Sequence, residues 1–518
     1  IYTLSLHDAL PIFDYNSIYN SSFENNRAEN HGGAIDWLAS AGDFKYINFI
    51  GNEAIYGGAL YLNGVSSNSR LDSVYFKANK ATKNGGAIDC NASMMGLNNT
   101  LFVENEAGEY GAALCRETNA TGGFGGNNTF IGNDARIAGS ALAWLGVDGI
   151  RINNYTFINN TAGSSGGAIY VREDSPNCKV LNSRFENNFI TNMKIGQGGA
   201  IDWLGVNATI VNTTFEDSYA ANGGILYIAG DNARFTNVSF SGGYAFENGG
   251  AIYVNNADNI TLSSVNISDT ESRFNGAVYL IGCNDSVLYN VSFNNVKASE
   301  DGASIMWVDS SNATIDSCIF MVSTSYHSGG AIYFDNMNDT VVKNSTFNDT
   351  KALYGNGGII FVNGNVTLDN NTFSNFETYS DYSGIFFCSG NSTLSNSTFD
   401  SPDVIWVNRT ATAYVINNNV TGLYPNKNTT YLEEAYDAKY NKYDYSVWND
   451  GDLYLENNDF DYIIFNNGTI HTQTYTYILD NKTHNATWAE NFTFWATIKD
   501  DTLKNTIISV HTLNTTND

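Results

Sequence analysis

The 518-residue chain sets 53 acidic residues against 25 basic ones, a net charge of −28. No basic stripe exists to neutralise phosphates, so nucleic-acid binding is excluded, and an anionic membrane surface would repel the chain. With 74 Asn and 48 Gly a helical protein is excluded, and 42% hydrophobic with 14% aromatic residues excludes disorder.

What remains is a β-rich chain with many tight turns, because Asn and Gly both accept left-handed backbone. The six Cys do not make a disulfide framework at this length and read as small buried fillers. No run of 18 apolar residues is present to span a membrane, so no direct membrane insertion is expected.

Residues 1–12 match nothing else in the chain and read as a non-native segment or a cap. From residue 13 onward two phrases recur. The first is Gly-Gly-Ala-Ile, beginning at Gly32, Gly85, Gly166, Gly198, Gly249 and Gly329, with Leu in the fourth place after Gly57. Degenerate copies begin at Gly111, Gly139, Gly223, Asn275, Gly302, Gly357 and Ser383. From Gly32 to Ser383 the thirteen intervals span 351 residues, a mean period of 27. The second phrase is Asn-Ser-Thr-Phe, whose Phe runs at the same period from Phe23 to Phe399, with Ile267 in one gap.

Each unit therefore reads as three short strands with two sharp corners and a longer loop. Strand one is the Gly-Gly-Ala-Ile segment. Strand two holds the apolar residue before the Asn, as in Ile210. The Asn occupies a corner where left-handed backbone is cheap. Strand three ends on the Phe. Short strands at a fixed period of this length predict an all-β parallel solenoid, in which each unit buries its apolar face only when another stacks on it.

Alternation sends the fourth and sixth positions of strand one inward and the third and fifth outward. The outward fifth position holds Asp36, Asp89 and Asp202, with Tyr61 between the first two. Later coils carry Tyr227, Tyr253, Tyr279, Met306, Tyr333, Phe361 and Phe387 there. Tyr227, Tyr253, Tyr279, Tyr333, Phe361 and Phe387 are the candidate ligand-binding stripe, since an exposed aromatic strip is a surface for sugars or protein partners. The aspartates read as solvated strand residues, and His31 and His327 as loop residues. No catalytic residue, metal ligand or cofactor is assigned. Thirty Asn-x-Ser/Thr sequons follow automatically from Asn at corners; only loop and insertion sequons such as Asn119 and Asn428 are expected to be accessible.

The paired phrases, Gly-Gly-Ala-Ile and Phe-x-x-Asn (strict from Phe23 and Asn26 to Phe185 and Asn188), resemble the repeats of polymorphic outer membrane proteins. Their Asn-Ser-Thr-Phe richness is similar to adhesin-like surface proteins with right-handed parallel β-helix repeats. The resemblance covers roughly residues 13–467. It implies a right-handed parallel β-helix of about 15 or more coils and an extracellular, cell-surface adhesin with glycan or cell-surface partners. The alternative on the same pectate-lyase-like fold is a polysaccharide lyase or hydrolase, which needs carboxylates clustered on adjacent coils.

After residue 420 the register loosens. Residues 421–467 read as a Tyr-rich insertion followed by a final coil at Leu455 and Phe460. Residues 468–518 alternate with period two, and the run 492–501 resembles the opening of an immunoglobulin-like module, of which only part is expected here. The chain reads as truncated at both ends.

Overall fold

The computed structural model describes residues 17–420, apart from 65, 93, 118–123, 379–383 and 401–403, and residues 445–472 apart from 457, 461–462 and 467. Beyond these it describes the short strands Leu10–Ile12, Tyr475–Leu479, Lys482–Ala486, Phe494–Ile498 and Ile508–Thr512. The architecture is a right-handed parallel β-solenoid, with no helix among the described residues. The chain divides into two compact units, residues 1–273 with 277–280, and residues 274–276 with 281–518.

In the first unit one coil shows how the repeat folds. Strand one is Ile201–Trp203, strands two and three run together as Thr209–Glu216, and a short fourth strand follows at Tyr219–Ala220. Each pairs in parallel register with its counterpart one repeat later: Trp203 with Ile228, Phe215 with Phe240, Ala220 with Ala245. The expected corner Asn212 has φ +49 inside the continuous strand. Its left-handed turn resets the alternation, so Ile210 points inward, then Thr213 and Phe215.

Two features go beyond the three-strand reading. A further left-handed residue follows each Phe by two positions, as at Asn25, Ala78, Asn159 and Asp217. The next residue, the Asn of Phe-x-x-Asn, turns inward and immediately precedes the fourth strand. The Gly-Gly pair has a steric cause. Gly32 has φ +52, and a Cβ on Gly33 would overlap the Gly58 carbonyl of the following coil. The first Gly makes the corner and the second lets coils approach to strand spacing.

The core is built from ladders. Phe23 through Phe240 stack with centroids 4.4–5.2 Å apart, each ring on the next. Beside them Asn26, Asn52, Asn79, Asn105, Asn133, Asn160 and Asn188 form a buried amide ladder, each Nδ2 donating to the next Oδ1 at 2.9–3.0 Å. This ladder belongs to Phe-x-x-Asn and not to the corner Asn. The corner residues form a separate ladder on the exposed side, where Asn212 Nδ2 donates to Asn182 Oδ1 and Asn237 Nδ2 to Asn212 Oδ1. Corner sequons such as Asn154 and Asn212 are therefore exposed, contrary to expectation. Asn119 and Asn428 lie outside the described residues.

The amide ladder gives a direct test. Asn105 Oδ1 accepts from the Asn79 backbone N–H and from Asn79 Nδ2 at 3.0 Å each. Asn105→Ala leaves both donors buried without that acceptor. The expected loss is about 2–3 kcal/mol in denaturant melts, since each orphaned buried donor costs ~1–3 kcal/mol. A loss below ~0.5 kcal/mol would show that water replaces the amide.

The second unit repeats the plan with longer strands. Strands one and two merge in Ile332–Lys343, Ile360–Asp369, Ile385–Ser395 and Ile405–Ile416, which pair in parallel in sequence. Phe293, Phe320, Phe347, Phe373 and Phe399 stack 4.5–5.0 Å apart. Residues 421–444 of the expected insertion lie outside the described residues. The register then resumes, with Val447 on Ile405, Leu455 on Val415 and Phe460 on Val420.

At the ends the strand pairing crosses the expected boundaries. Leu10–Ile12 pairs in register with Ile35–Trp37. Thr469–Thr472 pairs in parallel with Asp452–Leu455, so coil pairing continues past 468. Phe494–Ile498 pairs antiparallel with Ile463–Asn466 and with Ile508–Thr512. Antiparallel pairing agrees with the period-two texture, but two packed sheets are not present among the described residues. An immunoglobulin-like module is not confirmed.

Candidate functional site

All the sequence-derived site residues except Phe387 belong to one structural row, the outward fifth position of strand one. In the first unit the in-register partners run Asp36, Tyr61, Asp89, Cys115, Ala143, Tyr170, Asp202, Tyr227 and Tyr253. In the second they run Met306, Tyr333, Phe361, Phe386, Trp406 and Trp448.

Outward does not mean solvated here. The left-handed first Gly folds the preceding residue back over the row, and these preceding residues form their own bridged column: His31 with Tyr56, and Tyr110, Ala138, Ser165, Gln197 and Asn222 in succession. The His31 ring lies 4.4 Å from the Tyr61 ring, and Tyr110 and Tyr170 pack over Cys115 and Ala143. The row is thus the floor of a groove roofed in part by the pre-Gly column. Asp89 and Asp202 are 0% and 1% exposed, and the expectation of solvated aspartates is corrected on this ground. His31 is part of the groove wall, whereas His327 pairs through Nδ1 with Glu300 Oε2 at 2.5 Å.

The aromatic stretch is correspondingly less open than expected. Tyr253, Tyr279 and Tyr333 are half-buried, while Tyr227 and Phe361 are buried at 5% and 7% exposure. Phe387 is fully buried and pairs with the inward Val362; Phe386 takes the outward place opposite Phe361. The coil beginning near Ser383 lacks the Gly-Gly landmark, and a one-residue slip in aligning it exchanges the two faces. The rings stack on one another. Tyr227–Tyr253 and Tyr253–Tyr279 lie 5.3 and 4.9 Å apart, and Tyr333–Phe361 4.3 Å. Their faces are turned to each other, which leaves ring edges and phenol hydroxyls as the groups that can meet a ligand. The Tyr227 hydroxyl accepts from Asn255 Nδ2 at 2.8 Å.

The acidic end of the row is the chemically richest place. Asp89 lies in register between Tyr61 and Cys115. Ligand atoms of Asp89, Cys115 and Glu117 all lie within 4.8 Å of one another. Asn84 Nδ2 donates to Glu117 Oε1 at 2.6 Å, and Asn91 Nδ2 to Tyr61 Oη at 3.0 Å. Burial pushes the Asp89 carboxyl well above the usual range, and the neighbouring Glu117 adds to it. Burial first, then the charges of Asp89, Glu117 and Asp36, raises the Tyr61 phenol. Burial also raises the Cys115 thiol, again with Asp89 and Glu117 contributing. Cys115 and Glu117 were not singled out from sequence. Part of the signal was available, because aligning the degenerate copy at Gly111 on its neighbours places Cys115 beside Asp89, but it does not bring Glu117, one residue past the strand, close to both.

Among the described residues no helix is long and apolar enough to cross a membrane. Two family models match the chain. The right handed beta helix region matches residues 199–373 and 250–420, and the Chlamydia polymorphic membrane protein repeat matches residues 20–36, 73–91 and 154–172. No curated protein matches. Similar solved structures include PfbA, a surface adhesin of Streptococcus pneumoniae, at 12% identity and TM-score 0.28, covering 93% of this chain and 91% of that one. Another is a mannuronic acid specific polysaccharide family 6 lyase from human gut microbiota, at 11% identity and TM-score 0.32, covering 86% of this chain and 91% of that one. Neither superposes closely enough to carry a functional argument.

Proposed function

We propose that this right-handed parallel β-helix, with its polymorphic membrane protein repeats, is an adhesin-like stalk displayed at the cell surface. It binds glycans or other cell-surface partners along the outward row of strand one. The observation that carries the reading is the half-exposed tyrosine row, Tyr253 and Tyr279 in one unit and Tyr333 in the other, repeated at coil spacing where the fold elsewhere accepts Asp or Ala. Stability does not demand phenols there, so their recurrence favours a ligand. With ring faces engaged by one another, recognition runs through ring edges and phenol hydroxyls, which suits hydroxyl-rich sugars. The cell-surface assignment is supported by the polymorphic membrane protein repeats.

The test is a glycan array together with a cell-adhesion assay on the Tyr253→Ser, Tyr279→Ser double variant. The fold should be kept, with a loss of about 1 kcal/mol or less per stacked pair. Binding should weaken about tenfold or more, as expected when a central aromatic contact worth over ~1.4 kcal/mol is removed. The Tyr→Phe double variant should lose nearly as much if the hydroxyls are the contacts. Unchanged binding by a folded Ser variant would reject the reading.

A second reading, a carbohydrate-active enzyme, is favoured by one observation: Tyr61 lies in register between Asp36 and Asp89, and its ring is 4.4 Å from that of His31. Polysaccharide cleavage by the wild-type chain, abolished by Tyr61→Phe, would establish this reading over the adhesin.

A further inference from the structure

The acidic end of the row holds a feature that the adhesin reading does not use. Asp89 is 0% exposed, and neither of its carboxylate oxygens has a hydrogen-bond partner of ordinary geometry, the Cys90 backbone N–H offsetting only part of the cost of burial. A buried carboxylate so poorly supplied with donors is costly unless it is neutralised or coordinates a cation. Its neighbours make the cost larger, since Glu117 adds a second carboxylate and Cys115 is itself fully buried. No ion pair among the described residues involves Asp89 or Glu117. Arg116, between Cys115 and Glu117 in sequence, points the other way, into the coil interior beside Tyr155, where it donates to the Ala92 carbonyl at 3.2 Å.

The placement of the three ligand atoms is a consequence of the repeat. Asp89 and Cys115 are side by side on adjacent coils, and Glu117 is two residues beyond Cys115 on the same face. Their ligand atoms converge within 4.8 Å. The Asn84 amide fixes one Glu117 oxygen, an orienting contact of the kind metal-ligating carboxylates receive.

We propose that Asp89, Cys115 and Glu117 form a divalent metal site for a borderline-soft ion, zinc being the natural occupant. A thiol in the set argues against calcium and magnesium, which take oxygen ligands. Two carboxylates and one thiolate suit zinc, and three protein ligands leave one tetrahedral place on the groove side open to water or a ligand. Binding would discharge the buried Asp89 and tie two neighbouring coils together.

The experiment uses the purified full chain. One equivalent of Zn²⁺ should remain bound after dialysis and be released by a chelator. Zn²⁺ should raise the melting temperature, as any ligand of the folded state alone does. Replacing it with Co²⁺ should produce a thiolate-to-cobalt charge-transfer band in the near ultraviolet. That band should vanish in Cys115→Ser and persist in Cys388→Ser, the control for the half-exposed thiol. Asp89→Asn and Glu117→Gln, near-isosteric and checked by circular dichroism, should each weaken Zn²⁺ binding by about tenfold or more, on the scale of losses at metal-supporting groups. The proposal is overturned if the folded wild-type chain binds no Zn²⁺ at micromolar concentration. It is equally overturned if the cobalt band survives Cys115→Ser, or if Ca²⁺ stabilises the chain and Zn²⁺ does not.

Discussion

Replacing Phe215 with alanine is expected to destabilise the first unit by roughly 3–5 kcal/mol, the range for emptying a fully packed aromatic site. Phe215 is 1% exposed and stacks between Phe185 at 4.6 Å and Phe240 at 5.0 Å. Its removal leaves a void with rings above and below it, and in a solenoid each coil is held mainly by its two neighbours. Phe23 stacks on Phe49 alone among the described residues, at 5.2 Å, and is 5% exposed. Phe23→Ala should therefore cost roughly half as much, because one stacking partner is lost and not two. Denaturant melts of the two variants measure the difference. Equal losses would mean that the rings act as isolated fillers and not as a ladder.

Asp202→Asn should have an effect of similar size and opposite sign at neutral pH. Asp202 lies in register between Tyr170 and Tyr227 and is 1% exposed. Neither oxygen has a hydrogen-bond partner of ordinary geometry, and burial raises the carboxyl from 3.8 to about 7, the Ser165 hydroxyl offsetting only part of this. The folded chain thus holds this proton more tightly than the unfolded chain. Below about pH 4 both states are protonated and the group contributes no difference. As pH rises from about 4 to about 7 the unfolded state ionises freely while the folded state resists, so stability falls. Above about pH 7 the full cost is in place. Three units correspond to about 4 kcal/mol. The neutral amide carries no such cost. The Asn variant should match the wild type at pH 3.5, gain steadily between pH 4 and 7, and hold its advantage at pH 8. A wild-type-to-variant difference that is flat with pH would show that Asp202 ionises freely in the folded state.

These two residues mark where the sequence could be read and where it could not. Phe215 was legible because parallel in-register stacking demands the same kind of side chain at the same place in every coil. A period near 27 and a recurring Phe then leave few alternatives. The inward fourth and sixth positions followed from alternation, and Trp37, Trp203 and Trp307 are indeed fully buried. Asp202 was misread because alternation says which face of a strand a residue takes, not whether another segment covers that face. The pre-Gly column provides the cover, and it repeats too variably, as His31, Tyr110, Ser165 and Gln197, to announce itself.

The stripe divides in the same way. Tyr253 was placed in the correct row by the Gly-Gly landmark and Tyr279 by its Asn275-Gly276 counterpart. Phe387 was placed on the wrong face where that landmark is missing, since a slip of one residue inverts the pattern. The grouping of Asp89 with Cys115 and Glu117 needed the register of two coils that differ in every one of these residue types.

The sequence by itself determined the parallel solenoid, its period, the Phe ladder and the glycines at the corners, because each is a local or strictly repeated requirement. Only the tertiary structure decided which Asn forms the buried ladder, how the outward row is roofed, and which acidic groups meet beneath that roof. Those outcomes depend on contacts between a strand and a segment that passes back over it, and no periodic pattern in the chain encodes the height or direction of that return.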